Sequence, residues 1–332
     1  MTGGTGFVGA NLARELLAAG WRVRALARPG SDRRNLEGLP LEIVEGDLTD
    51  RDLERKLEGC DGAFHVAAHY SLFRKDREAL LRSNVEGTRN VLRAARAAGV
   101  PRTVYTSSVA AIGVRHGAVA DESHQSPPHE LIGAYKLSKY LAEREAAAAA
   151  SAGQDVVIVN PTTPIGAWDR KPTPTGDIFV RFLTGRMWAL VNTGLNFVDV
   201  VDVARGHLLA YDKGRSGERY ILGGENLPLR TLLERVGAET GRAAPKVSVP
   251  LWLPLGVAWL DETILARLGR PPQIPIDGVK MSQESMYYDS SKALRQLGFR
   301  PAPLDGAIRA AIRWFADNGY LSKRRDRNTS WQ

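Results

Sequence analysis

Met1-Thr2-Gly3-Gly4-Thr5-Gly6-Phe7-Val8-Gly9 opens the chain, and its reading decides the fold. Glycines at 3, 6 and 9 run straight into a helical pattern, Phe7 to Ala19. A tight glycine turn feeding a helix N-terminus aims backbone N–H groups at an anion, and a pyrophosphate suits that cradle. Gly3, Thr5, Gly6, Phe7 and Val8 are therefore candidate dinucleotide-binding positions. In a doubly wound sheet such a turn follows a buried central strand, yet only Met1 and Thr2 precede Gly3. The expectation is a truncated first strand and a fold weakened by that loss.

Working outward, Trp21 to Ala27 alternates as a strand and ends on Ala25-Leu26-Ala27-Arg28. In a dinucleotide fold the end of this strand meets the adenosine ribose. A carboxylate there binds the 2′-hydroxyl of NAD, whereas a guanidinium suits the 2′-phosphate of NADP. Arg28 with no acid beside it favours NADP; NAD is the alternative, and a plain surface arginine before Pro29-Gly30 is the bland one. Leu41 to Glu45 reads as a strand leading to Asp47, a candidate acceptor for an adenine amino group, and to Leu48. Thr49 reads as the N-cap of a helix Asp50 to Leu57. Ala63 to Val66 is a further strand, and the small Ala67 and Ala68 after it leave room for a flat cofactor. His69 is a candidate substrate contact or a structural histidine.

A helix Arg77 to Ala98 carries Asn84, and strand Arg102 to Thr106 delivers Ser107 and Ser108 to its carboxyl end, where open α/β sheets keep ligands. Tyr135-Lys136-Leu137-Ser138-Lys139 then opens a long helix reaching about Ala150. Tyr135 and Lys139, four apart, share one face. A charged lysine beside a phenol lowers the phenol's pKa, as a base working near neutrality requires. With a strand-end serine and a glycine cradle in the same chain, Ser108, Tyr135 and Lys139 form the candidate catalytic set.

On these motifs the chain resembles, nearly end to end, the extended short-chain dehydrogenase/reductase superfamily and its NAD-dependent epimerase/dehydratase group. The runs Val159-Asn160-Pro161-Thr162-Thr163-Pro164-Ile165-Gly166, Lys171-Pro172-Thr173-Pro174-Thr175-Gly176 and Glu218 to Asn226 are most similar to hopanoid-associated sugar epimerases. The Arg24 to Arg28 region and Ser107-Ser108 also resemble dihydroflavonol and cinnamoyl reductases. The resemblance implies that Ser108 bonds the substrate oxygen, Tyr135 moves the proton and Lys139 holds the nicotinamide ribose. It implies that Asn84 supports a water relay, that Asn160 and Pro161 border the nicotinamide, and that a homodimer forms through the helices bearing Asn84 and Tyr135. Sugar dehydratases place an acid pair directly after the catalytic serine or threonine; Val109 and Ala110 stand here and argue against dehydration. The function implied is an NAD(P)-dependent epimerase of a sugar or sugar-linked lipid. The alternatives are an NADPH-dependent ketone reductase and, from another class, a non-catalytic NAD(P)-binding regulatory protein.

The fold class expected is α/β: a Rossmann-type doubly wound parallel sheet (residues 1–165 and 196–214) with a smaller mixed substrate domain (166–195 and 215–321) and a disordered basic tail (322–332). At 332 residues and 43% hydrophobic, the chain can bury a sizeable core. Its formal charge of +8 is scattered rather than blocked, which speaks against nucleic acid. Arg181, Arg186, Arg205 and Arg219 are candidates to hold a substrate anion, Arg181 and Arg219 foremost. Asp202 reads as the N-cap of a helix to Lys213. The segment Leu251 to Leu268, with Trp252, Trp259 and Leu260, reads as a core helix or as a greasy cover touching a lipid-like substrate or a membrane. The lone Cys60 and the lack of a signal peptide or spanning segment point to the cytoplasm, and no residue spacing suits a metal.

Overall fold

The computed structural model of the chain describes residues 1–250, 252–265 and 275–321. Its strands are β1 (Arg24–Ala27), β2 (Glu42–Glu45), β3 (Ala63–His65), β4 (Thr103–Thr106), β5 (Val156–Pro161), β6 (Thr163–Ile165), β7 (Ala189–Leu190), β8 (Gly194–Asp199), β9 (Arg219–Leu222), β10 (Glu225–Pro228) and β11 (Val247–Ser248). In the main sheet β2 pairs with β1, and β3, β4, β5 and β9 follow one another, every pairing parallel. Parallel neighbours require crossovers, which the intervening helices supply while covering both faces of the sheet. β4 and β5 are accordingly buried at every position.

Met1 and Thr2 join the two parts of this sheet. Thr2 bridges Leu26 on one side and His65 on the other; its N–H donates to Phe64 O, and Leu26 N–H donates to Met1 O, both at 2.9 Å. Met1 and Thr2 thus take the central position of the sheet, between β1 and β3. Helix Phe7–Ala18 buries Leu12 and Leu16 against Val203, Ala204 and Ala210 of helix Val200–Lys213, in one cluster with Val104, Val157, Val159 and Tyr220. Each fully buried aliphatic side chain of this kind contributes about 1.5–3 kcal/mol.

A second core gathers Phe179 and Phe182 of helix Pro174–Leu183, Leu232 and Leu233 of helix Leu229–Thr240, and Ile308 and Phe315 of helix Asp305–Asp317. Beside it, β8 pairs parallel with β6 and antiparallel with β10, and β11 pairs with β7.

Several expectations shift. Arg219–Leu222, assigned to the second domain, is the edge of the main sheet, where the buried run Tyr220, Ile221, Leu222 packs on both faces. β8, assigned to the cofactor domain, lies in the small mixed sheet. Asp199 caps helix Val200–Lys213 by accepting from Val201 N–H at 2.8 Å, while Asp202 is buried and accepts from Ala302 N–H at 2.7 Å. Thr49 caps nothing: the helix starts at Leu53, and Asp47 Oδ1 accepts from the Thr49 N–H and hydroxyl in a turn. The core-helix reading fails for Trp252–Trp259, of which only Ala258 is buried. Leu251, Leu268 and the tail 322–332 lie outside the described residues.

Candidate active site

Gly3 takes φ +74°, and a Cβ there would stand 2.5 Å from Ala67 N; one on Gly9 would stand 2.1 Å from Gly3 O. These two glycines let the turn close on itself. Gly6 differs, because a Cβ on it would meet only Gly3 O at 3.4 Å and would otherwise project into open space. No side chain caps helix Phe7–Ala18 and no acid sits in its first turn, so its leading N–H groups and positive dipole end face that space unopposed. These residues fit a dinucleotide pyrophosphate. A loop from beyond β6 is clamped to the cradle. Asn35 Nδ2 donates to Thr5 O and Trp168 O, Asn11 Nδ2 donates to Ala167 O, and the Arg14 guanidinium lies 3.5 Å over the Trp168 ring. Among the described residues Trp168 is the one non-glycine at positive φ, +75°, a conformation that costs about 1–3 kcal/mol and persists because these contacts hold it. Nothing local in the sequence signals this clamp.

Ser108 follows β4 by two residues and caps the short helix Val109–Ile112: its Oγ accepts from Ala110 N–H at 3.1 Å, which leaves its own O–H free to donate. Tyr135 and Lys139 lie on helix Gly133–Ser151. Burial pushes the Tyr135 phenol up to about 12, opposed by a hydrogen bond with Ser108. Lys139 is buried; its Nζ donates to Thr106 O at 2.8 Å and to Tyr105 Oη at 3.3 Å. Burial lowers its ammonium to about 8, against the opposing charge of Glu143. The sequence expectation of a phenol pKa lowered by Lys139 is therefore not met: desolvation dominates at Tyr135, and Ser108 is the group that counters it. Tyr70 packs its ring 4.5 Å from that of Tyr135 and is 44% exposed, a neighbour the sequence reading missed because it lies 65 positions away.

Asn84 sits in a π turn, Leu81–Glu86. Its Nδ2 donates to Ser138 Oγ and His69 O at 2.9 Å, and its Oδ1 accepts from His69 N–H at 2.7 Å. It ties the loop at His69 to the catalytic helix with both amide N–H groups and one Oδ1 lone pair. Asn160 Nδ2 donates to Ser108 O at 3.1 Å and to Glu143 Oε2 at 2.7 Å, while its buried Oδ1 and the buried Ser107 Oγ have no partner. Arg219 is no free anion holder: it donates to Glu143 Oε1, Gln125 Oε1, Glu122 O and His124 O. Arg181 pairs with Asp177 at 2.6 Å on its own helix, and Arg205 with Glu15 at 3.0 Å. A glutamate four residues after Lys139 on one helix face was a signal that could have revealed Glu143.

A family model described as NAD dependent epimerase/dehydratase matches residues 1–223. The chain belongs to this family. It is 60% identical over 326 residues to the putative dihydroflavonol 4-reductase of Synechocystis sp., covering 97% of this chain and 95% of that protein. It is 37% identical to the sterol demethylase protein B of Methylococcus capsulatus, covering 97% and 99%. Among solved structures, PA4631, a nucleoside-diphosphate-sugar epimerase from Pseudomonas aeruginosa, matches with a TM-score of 0.79 at 30% identity, covering 97% of this chain and 98% of that one. The protein is thus an enzyme of the oxidoreductase type in an NAD-dependent family.

Arg28, directly after β1, is exposed and forms no ion pair among the described residues. Burial first, then the charges of Lys171 and Arg28, hold the His69 ring below its ordinary pKa against the pull of Asp76. One Asp47 oxygen is taken by Thr49. Leu48 packs closely on Gly87, and Ala67 N–H donates to Thr2 Oγ1 at 3.2 Å, which pins the floor beside Gly3. Ala68 is exposed beyond it, and Pro161 closes β5 opposite Leu222.

Proposed function

We propose that the enzyme reduces the ketone of a bulky apolar molecule, or oxidises the matching secondary alcohol, with NADP as the preferred cofactor. The observation that carries this reading is that both arginines singled out as anion holders, Arg219 and Arg181, are already engaged within the protein. A nucleotide sugar brings a diphosphate that calls for charge-assisted donors. Aromatic and aliphatic side chains lie beside Tyr135, together with the Asp277 carboxylate at Gly133. Tyr70 lies on Tyr135, and helix Ile276–Met281 rests on Leu72 and on Gly133, two residues ahead of Tyr135. The name of one curated relative, a putative dihydroflavonol 4-reductase, agrees with reduction, and that of the other, sterol demethylase protein B, with a bulky apolar molecule. Arg28, unpaired at the ribose end, supports NADP.

Gly3, Gly6, Phe7 and Val8 would hold the pyrophosphate, and Arg28 the 2′-phosphate. The bound dinucleotide supplies the hydride. Tyr135 donates its phenolic proton to the substrate oxygen as that oxygen gains charge, and Ser108 O–H fixes and stabilises the same oxygen. Lys139, anchored on Thr106 O, keeps a positive charge behind the phenol. Asn160, bonded to Ser108 O, and Asn84, bonded through Ser138 to the Tyr135 carbonyl, hold both groups in place.

Epimerisation of a sugar or sugar-linked lipid is the second reading, favoured by the fold likeness to PA4631 and by the unpaired Lys171 near His69. Cofactor balance separates the two. A reductase consumes NADPH in step with product, whereas an epimerase returns the hydride and consumes none. NADPH consumption with bulky ketones and none with nucleotide sugars is the expected result; interconversion of sugars at constant cofactor would overturn the reading.

A further inference from the structure

We propose that helix Trp252–Trp259, with the turn that follows it, docks the enzyme on an anionic lipid surface beside its catalytic mouth. From Trp252 to Leu260 the sequence holds no charged residue. Only Ala258 is buried; Trp252 is 71% exposed and Trp259 56%, with Leu253, Val257 and Leu260 exposed between and after them. The patch extends to Val247 of β11 and to Trp188, 72% exposed, which precedes Ala189, the β7 partner of Val247. An apolar face of this size on a water-soluble surface marks an interaction site. Tryptophan, with a large apolar body and one polar N–H, is the side chain that settles at a membrane–water boundary.

Charge selects the partner. Exposed cations rim the patch: Arg74, Lys75 and Arg77 on one side, linked to it where Arg74 N–H donates to Glu262 Oε1 at 3.2 Å, and Arg186 and Lys246 beside Trp188 and Val247. Lys75, Arg77, Arg186 and Lys246 form no ion pair among the described residues, whereas the nearby Asp277 is buried and pairs with Arg74, and Glu262 accepts from Arg74 and Ile276 N–H groups. The whole chain carries a formal +8. Two copies apposed through this face would bring like-charged rims together, while phospholipid headgroups of negative charge complement them. The position serves chemistry. The turn after Trp259 leads through Glu262 to helix Ile276–Met281, which rests on Leu72 and Gly133 at the mouth leading to Tyr135. A membrane-dissolved ketone reaches the site without crossing water, a use that rests on the reductase reading, although docking itself does not.

The test is co-sedimentation of the full chain with vesicles of phosphatidylcholine alone or mixed with phosphatidylglycerol, with no substrate present. The wild type is expected to pellet with the anionic vesicles and to be released by high salt. Trp252→Ser with Trp259→Ser weakens binding by about tenfold or more, and Lys75→Glu with Arg77→Glu by about tenfold. The second pair serves if the tryptophan variant fails to keep its melting temperature. Failure of the wild type to pellet, or variants that pellet like it, overturns the proposal. So does a wild-type dimer by light scattering that these tryptophan changes convert to monomer without any lipid binding, which assigns the face to a second copy. Turnover of a short, water-soluble ketone should be equal in wild type and variants. Its loss in all of them would count against the reductase reading and not against docking.

Discussion

Glu143 Oε1 lies 3.0 Å from Arg219 Nη1, and the pair is nearly closed to solvent, with side chains 9% and 19% exposed. Breaking a buried pair from one side leaves an uncompensated charge. Arg219→Ala is expected to cost about 3 kcal/mol or more of stability, read as a lower urea midpoint. A variant that keeps its midpoint but raises the substrate KM would return Arg219 to substrate binding.

The cradle glycines separate fold from ligand. Gly9→Ala drives a methyl into Gly3 O and is expected to destabilise the protein by on the order of 3 kcal/mol. Gly6→Ala finds room, so the melting temperature holds while dinucleotide affinity falls. Calorimetric titration with NADP and NAD checks this; unchanged affinity in Gly6→Ala would move the pyrophosphate elsewhere.

Tyr135→Phe removes the phenolic proton and keeps the ring against Tyr70. Dinucleotide binding should persist while kcat falls by about 10²–10⁴. Near-normal turnover would take Tyr135 out of proton transfer.

Stability should depend on pH through three buried groups. Burial lowers His65 from 6.5 to about 3 and His207 from 6.5 to about 4. The unfolded chain protonates these rings first, so their share of stability is complete above about pH 6.5 and is lost as pH falls toward the folded values. Burial raises Asp169 from 3.8 to about 7, against hydrogen bonds from Thr173. Its share has the opposite sign: present below the unfolded value and lost as pH rises through the folded one. Between about pH 5 and 6.5, Asp169→Asn should therefore make stability climb more steeply than in the wild type, by about 1.4 kcal/mol per pH unit. Parallel curves would mean that Asp169 is ionised in the folded protein.

Arg28→Asp tests cofactor choice. Removing the guanidinium and adding a carboxylate should weaken NADPH by about tenfold or more while sparing or improving NADH. Equal weakening of both would place Arg28 away from the 2′-phosphate.

What the sequence determined by itself was local. The glycine spacing, the strand-end serines and the Tyr135–Lys139 interval are short-range patterns, and backbone geometry alone puts their atoms on one turn, one strand end and one helix face. Those elements stand where the pattern requires. Tertiary structure decided which polar atoms remain available. Arg219 looks free in sequence, yet Glu143, 76 residues away, and the carbonyls of Glu122 and His124 take its donors. Asn84 is likewise bonded to His69 and Ser138. β8 and β9 are both short strands, and only their partners sort them into different sheets. The apolar run at Trp252 could face a core or a surface with equal logic, because periodicity reports that a face is apolar and cannot report what lies against it. Hydrogen-bond saturation and burial are set by groups far apart along the chain, so no window of sequence contains them.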